Sequence, residues 1–203
     1  MTNRHRTVLA TLAAMMTLAV ATPALAHPGH GGHEFADGWA HPFSGLDHLL
    51  AMIAVGLLAV RMGGKAIWIM PCTFIAAMLA GGGLAALGVP MPGAEWWIAA
   101  SVLALGVMVA ATGVIPLKYG AALVALFAVF HGHAHVHELL GSSAAASIAP
   151  YAIGFVLATA ILHASGIAIG LGLRRWGQPM AMRVAGGMIT AAGLLILCGI
   201  IQV

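Results

Sequence analysis

From residue 42 to the end of the chain, long apolar runs alternate with short breaks rich in glycine, proline or charge. A helix needs roughly 17 to 25 predominantly apolar residues to cross a hydrocarbon core of about 30 Å. Hydropathy and breakers predict six such spans, at about 42–61, 66–88, 94–114, 117–139, 147–172 and 182–202. The punctuation between them is Arg61-Met-Gly-Gly-Lys65, Val89-Pro90-Met-Pro92-Gly93, Pro116, Gly141-Ser-Ser143 and Arg174-Arg175-Trp176-Gly177-Gln-Pro179. Ahead of the spans, Arg4, His5 and Arg6 form a basic region, Val8 to Val20 an apolar one, and Ala24-Leu25-Ala26 a small-x-small cleavage site. This predicts a secretory signal peptide over 1–26 that is cleaved to leave His27 as the mature start. A His-rich periplasmic tail then covers 27–41 and a single six-helix transmembrane domain covers 42–203. The expected fold is all-α, a polytopic membrane protein whose short connections leave no room for a second domain.

Composition and charge agree with that reading and orient it. The chain is 62% hydrophobic and only 6% charged, with five acidic residues in 203, whereas a water-soluble domain carries about 25% charged residues. Its 27 glycines suit close approach of transmembrane helices, with Gly81-Gly82-Gly83, Gly166-x-x-x-Gly170 and Gly186-Gly187 as expected contact points. Trp96, Trp97 and Trp176 read as interfacial anchors. With the mature N-terminus outside, Arg61, Lys65, Lys118, Arg174, Arg175 and Arg183 all fall in cytoplasmic loops, the arrangement the positive-inside rule requires. Glu34, Asp37, Asp47, Glu95 and Glu138 fall on the outer side, giving an acidic, histidine-rich face that attracts cations. The expected location is a bacterial inner membrane, with both termini periplasmic. The lipid bilayer is the expected partner and nucleic acid is not.

Candidate chemistry gathers on that outer side in three clusters. The densest is Phe130-His131-Gly132-His133-Ala134-His135-Val136-His137-Glu138 at the end of the fourth span. Ligand-grade side chains are costly at a membrane edge and usually mark an ion path. At roughly 100° per residue, His131, His135 and Glu138 lie within about 60° on one helix face, a metal-binding face. His133 and His137, also four apart, point roughly opposite, as a second solvent-facing pair or a feeder site. The second cluster is His41-Pro42-Phe-Ser-Gly45-Leu-Asp47-His48 with Met52, where Pro42 suits a first helical turn and Asp47 gains from the helix dipole. The third is Thr159-Ala-Ile-Leu162-His163-Ala-Ser165-Gly166, with His163 deep among aliphatic residues. Imidazoles with one or two carboxylates suit Ni²⁺, Co²⁺ or Zn²⁺, whereas an oxygen cage suits Mg²⁺ or Ca²⁺. Cys72 and Cys198 are expected near opposite ends of the bilayer, too far apart for a disulfide or a shared metal.

These three segments, His41-Pro-x-x-Gly45-x-Asp47-His48-x-x-x-Met52, Phe130-His131-Gly132-x-Ala134-His135-x-x-Glu138 and Thr159-x-x-Leu162-His163-x-x-Gly166, resemble the three signatures of the HupE/UreJ family. The likeness extends over the mature chain from its His-Pro-Gly-His start. It implies a membrane permease that supplies nickel or cobalt for hydrogenase or urease, with His41, Asp47, His48, His131, His135 and Glu138 as metal residues. It implies partners among nickel metallochaperones or hydrogenase and urease maturation proteins. His163 and Met52 stand as further metal residues or supports. His133 and His137 are additions within the second signature and inherit no role.

The expected mechanism is ATP-independent, because no Gly-x-x-x-x-Gly-Lys-Ser/Thr loop is present. His27, His30 and His33, with Glu34 and Asp37, read as a weak capture arm. The ion then passes to the main residues and leaves past His163. No enzymatic activity is expected, since His-Glu-x-x-His is absent. A metal-binding accessory protein that stores nickel or hands it over is the other reading of the same residues.

Overall fold

A computed structural model describes residues 34–141 and 148–202. The signal-peptide segment and His27, His30 and His33 lie outside them. The described residues form seven helices and no strand: α1 (Glu34–Ser44), α2 (Leu46–Met62), α3 (Ala66–Ala86), α4 (Ala94–Ala110), α5 (Leu117–Gly141), α6 (Ile148–Arg175) and α7 (Pro179–Leu197).

Four of these, α3, α5, α6 and α7, are long and apolar enough to cross a membrane, and α1 with α2 qualifies as a pair bent by 78°. The apolar helix α4 has 17 residues and at 1.5 Å per residue is about 26 Å long, short of the roughly 30 Å core. Large apolar side chains such as Trp68, Leu79, Ile153, Leu157 and Leu194 face outward, where lipid rather than water must receive them.

The first span departs from the expected start at Pro42. Residues 34–41, expected in the tail, are already helical, and Pro42 lies within α1 rather than opening a helix. The break comes at Gly45, whose backbone is extended (φ −91, ψ 122), and α2 restarts at Leu46. Pro42 removes one backbone donor near the end of α1. Ser44 Oγ donates to the His41 carbonyl at 2.8 Å, which satisfies one of the carbonyls a helix end leaves open. α1 is held because it lies flat against α6: a side chain at Gly38 would meet the Tyr151 carbonyl, and one at Gly154 the Phe35 carbonyl.

α2 is the axis of the bundle, packed by α1, α3, α4, α6 and α7, and Ala51 to Val60 is buried apart from the half-buried Ile53. The expected third span ends early, at Ala110. Pro116 disfavours helix before it, and Arg61 takes the freed carbonyls of Ala111 (3.1 Å from Nε) and Gly113 (2.7 Å from Nη2). Arg61, Arg174 and Arg183 line one cavity at this end of the bundle, opposite the end of α2 that carries Asp47 and His48. Cys72 and Cys198 are both free and exposed.

All three expected glycine contacts are close crossings at one residue or more, with Gly186 meeting the Ala110 backbone of α4. Gly166 and Gly170 press on α2, and Gly81 and Gly82 on α5, while Gly83 and Gly187 face open space. Gly132 is the most constrained, because a Cβ there would run into the Met78 carbonyl of α3. Gly132→Leu should therefore force α3 and α5 apart, at a cost of about 1–3 kcal/mol for overpacking. The check is a melting curve of the detergent-solubilised protein, and an unchanged midpoint would contradict this packing.

Candidate metal site at the broken helix

The Gly45 break places the chemistry. A helix that begins at Leu46 puts Asp47 and His48 in its first turn. Asp47 Oδ1 accepts the His48 backbone N–H at 2.7 Å and stands 2.6 Å from His48 Nδ1. The carboxylate thus satisfies an open helix N-terminus, where the dipole favours negative charge, and takes the Nδ1–H. That fixes the tautomer with the lone pair on Nε2, the way carboxylates orient metal-binding imidazoles. A side chain at Gly45 would displace this pair, since its Cβ would stand 2.9 Å from Asp47 Oδ1 and 3.0 Å from His48 Nδ1.

His48 Nε2 faces His135 Nε2 of α5 at 2.5 Å. With the His48 nitrogen an acceptor, His135 donates. His41, near the end of α1, completes the group: its ring centroid lies 4.5 Å from that of His135 and 5.8 Å from that of His48. One ring nitrogen from each of the three lies within 4.8 Å of the others. Imidazole nitrogens 2.0–2.1 Å from a tetrahedral divalent ion stand about 3.4 Å apart. The three rings therefore accept such an ion with shifts of about 1 Å. Tyr151 and Phe155 of α6 wall the group, with the Phe155 ring 4.6 Å from His135 and 6.0 Å from His41. His41, His135, Glu138, Leu139 and Tyr151 line a cavity of about 130 Å³, with exposed Glu138 as its polar lip.

The six residues expected to bind together are thus distributed. His41, His48 and His135 converge, Asp47 holds His48, and Glu138 lies at the opening. His131 sits one turn deeper on α5, fully buried, its Nδ1–H donating to the Phe127 carbonyl at 3.0 Å. Its ring remains 5.2 Å from that of His48. Met52 is buried in the core below His48, and His163 is deeper still. Of the pair expected to be solvent-facing or a feeder site, His133 is buried and donates through Nε2 to the Val89 carbonyl at 2.7 Å, while its stacked neighbour His137 is exposed. Asp37 is exposed and Glu34 half-buried in the first turn of α1.

Some contributors were not singled out from sequence. Phe74 of α3 touches the rings of both His131 (5.4 Å) and His163 (5.0 Å). Glu95, in the first turn of α4, is within electrostatic reach of Asp47, His48 and Glu138. As one of only five acidic residues, Glu95 carried a usable signal; Phe74, Tyr151 and Phe155 did not stand out among so many apolar neighbours.

An all-helical, multi-pass membrane protein with a three-histidine group, two of its imidazoles buried, at a broken helix is the class these features define. The chain matches the HupE / UreJ protein family over residues 14–196. It is 45% identical over 187 residues to Protein HupE of Rhizobium leguminosarum bv. viciae, covering 89% of this chain and 94% of that protein. The chain belongs to the HupE / UreJ family. No solved structure matches it.

Proposed function

We propose that this chain is a secondary permease that carries Ni²⁺ or Co²⁺ inward across the bacterial inner membrane to supply metalloenzyme maturation, with hydrogenase, urease or cobalamin as the destination. The observation that supports this most is the His41–His48–His135 group, three imidazoles from three helices held within an apolar bundle. Zn²⁺ has the same ligand chemistry and is a competitor. The α1–α2 pair counted as one broken span, with α4 as a short one, accommodates six spans with periplasmic termini after a cleaved signal. The reading assigns no enzymatic role. It takes nickel metallochaperones or maturation proteins as the receiving partners.

Glu138 and the acidic residues near it raise the local concentration of cations. The ion exchanges water for imidazole at His41, His48 and His135, and its passage inward is driven by the membrane potential. A divalent ion gains about 4.6 kcal/mol per 100 mV, twice the single-charge value, so no nucleotide is needed.

Purified protein in liposomes with an inside-negative potassium diffusion potential should accumulate Ni²⁺ or Co²⁺ saturably. Binding without flux would assign the chain instead to metal storage or handover, and neither binding nor flux would defeat both readings. The ion competes with protons for neutral imidazole. Apparent affinity should therefore fall as the outside pH is lowered from 7.5 to 5.0. Uptake unchanged down to pH 5 would contradict histidine capture.

A further inference from the structure

Below the three-histidine group the bundle buries a second set of polar atoms that nothing satisfies. His131 Nε2, both ring nitrogens of His163 and Thr159 Oγ1 have no hydrogen-bond partner, and the three residues are 0%, 1% and 0% exposed. Buried polar groups are ordinarily paired, and those that are not call for an explanation. Here the orphans are grouped. Thr159 and His163 are four apart on α6 and so share a face, while His131 and His163 both rest against the Phe74 ring.

Their depth is ordered. A Cβ on Gly56 would run into the His163 carbonyl oxygen, so His163 sits at the α2–α6 crossing, about 12 Å along α2 from His48 at 1.5 Å per residue. His131 is one turn inward from His135, about 6 Å by the same measure. The donors thus descend from His48 and His135 through His131 to His163. His131 has committed Nδ1 to the Phe127 carbonyl, which presents Nε2 as its free donor to an ion.

We infer that His131, His163 and Thr159 form an inner coordination station for the transported divalent cation, distinct from the His41–His48–His135 group and reached after it. Two imidazole nitrogens and a hydroxyl oxygen suit a borderline ion that keeps part of its water shell. Phe74 stands at the boundary of the station. The inference rests on the permease reading, and the experiment separates the two.

Three chains are prepared in parallel: the parent, His163→Gln and Thr159→Val. Each is checked for monodispersity and helical content, then assayed for Co²⁺ binding in detergent by equilibrium dialysis and visible absorption, and for Co²⁺ flux into liposomes. His163→Gln should keep outer-group affinity within about threefold while flux falls tenfold or more. In a His48→Ala background, weaker residual Co²⁺ binding should persist and should vanish when His163→Gln is added. Unchanged flux in His163→Gln, or no residual binding in His48→Ala, overturns the inner station. If His163→Gln does not fold, Thr159→Val decides: flux reduced at least threefold with outer binding intact supports the station, and unchanged flux overturns it. Absence of flux in the parent chain would instead defeat the permease reading, and the residual-binding test would still judge the inner station.

Discussion

His48→Ala should reduce metal accumulation by at least about 100-fold, the upper end of what losing a mere supporting partner of a metal ligand costs. His48 links more of the site than any other residue: its Nδ1 engages Asp47, its Nε2 meets His135, and its ring contacts those of His41 and His131. Alanine leaves His41 and His135 as two donors without the oriented third, and it leaves the Asp47 carboxylate holding only a backbone N–H. The fold should survive, because α2 stays anchored by the apolar run from Ala51 to Val60 on every side. The His48→Ala/His135→Ala pair should be little worse than either single change, since residues that act on one ion are strongly coupled. His137→Ala, at an exposed position outside the ligand group, should stay within about twofold of the parent, inside the small range usual for surface substitutions. Accumulation of radioactive Ni²⁺ by cells expressing each chain at matched levels measures all four. Parent-like uptake by His48→Ala would remove the three-histidine group from the transport path.

How far this site was readable from sequence depends on the kind of information each residue carries. Helical phase put His131 and His135 on one face, and both are buried where α5 meets its neighbours. Phase reports azimuth and not depth, however, and one turn along α5 is enough to separate His135, which meets His41 and His48, from His131, which does not join them. Phase also set His133 on the opposite side of α5, as a solvent-facing or a feeder residue. Its burial depends on the Val89 carbonyl, 44 residues earlier, which no local pattern encodes. The meeting of the α2 and α5 motifs was legible because the charge pattern assigned both to the same end of the bundle. The bend between α1 and α2 was not, since Pro42 is equally compatible with opening a helix and with lying near the end of one. What settles the matter is packing of Gly38 and Gly154 between α1 and α6, a tertiary contact. The four helices long and apolar enough to cross a membrane, α3, α5, α6 and α7, lie within about five residues of predicted spans, because hydropathy follows long apolar runs directly. The ends of predicted spans moved where capping intervened, as at Ala110 and Pro179.

Asp47→Asn should lower metal affinity by about tenfold and Asp47→Ala by up to about 100-fold, the range known for partners that orient metal-binding imidazoles. The asparagine variant is the more informative, because Asp47 does two jobs with one oxygen: it accepts the His48 backbone N–H and the His48 Nδ1–H. An asparagine oxygen can still accept from the helix N-terminus, and asparagine is as well suited to such positions as aspartate. What it loses is the charge, worth about 0.3–1 kcal/mol near a helix N-terminus, and with it the added basicity that a carboxylate lends to the ligating nitrogen. Were Asp47 present only to terminate α2, Asp47→Asn would leave binding untouched, and any effect of Asp47→Ala would appear in the melting temperature first. A support for His48 predicts the reverse order for Asp47→Asn, with a large loss of affinity and a melting midpoint displaced by less than about 1 kcal/mol of stability. Calorimetric titration of Ni²⁺ alongside a melting curve resolves the two. A tenfold affinity loss without a matching drop in stability assigns Asp47 to the metal, and parallel changes assign it to the helix.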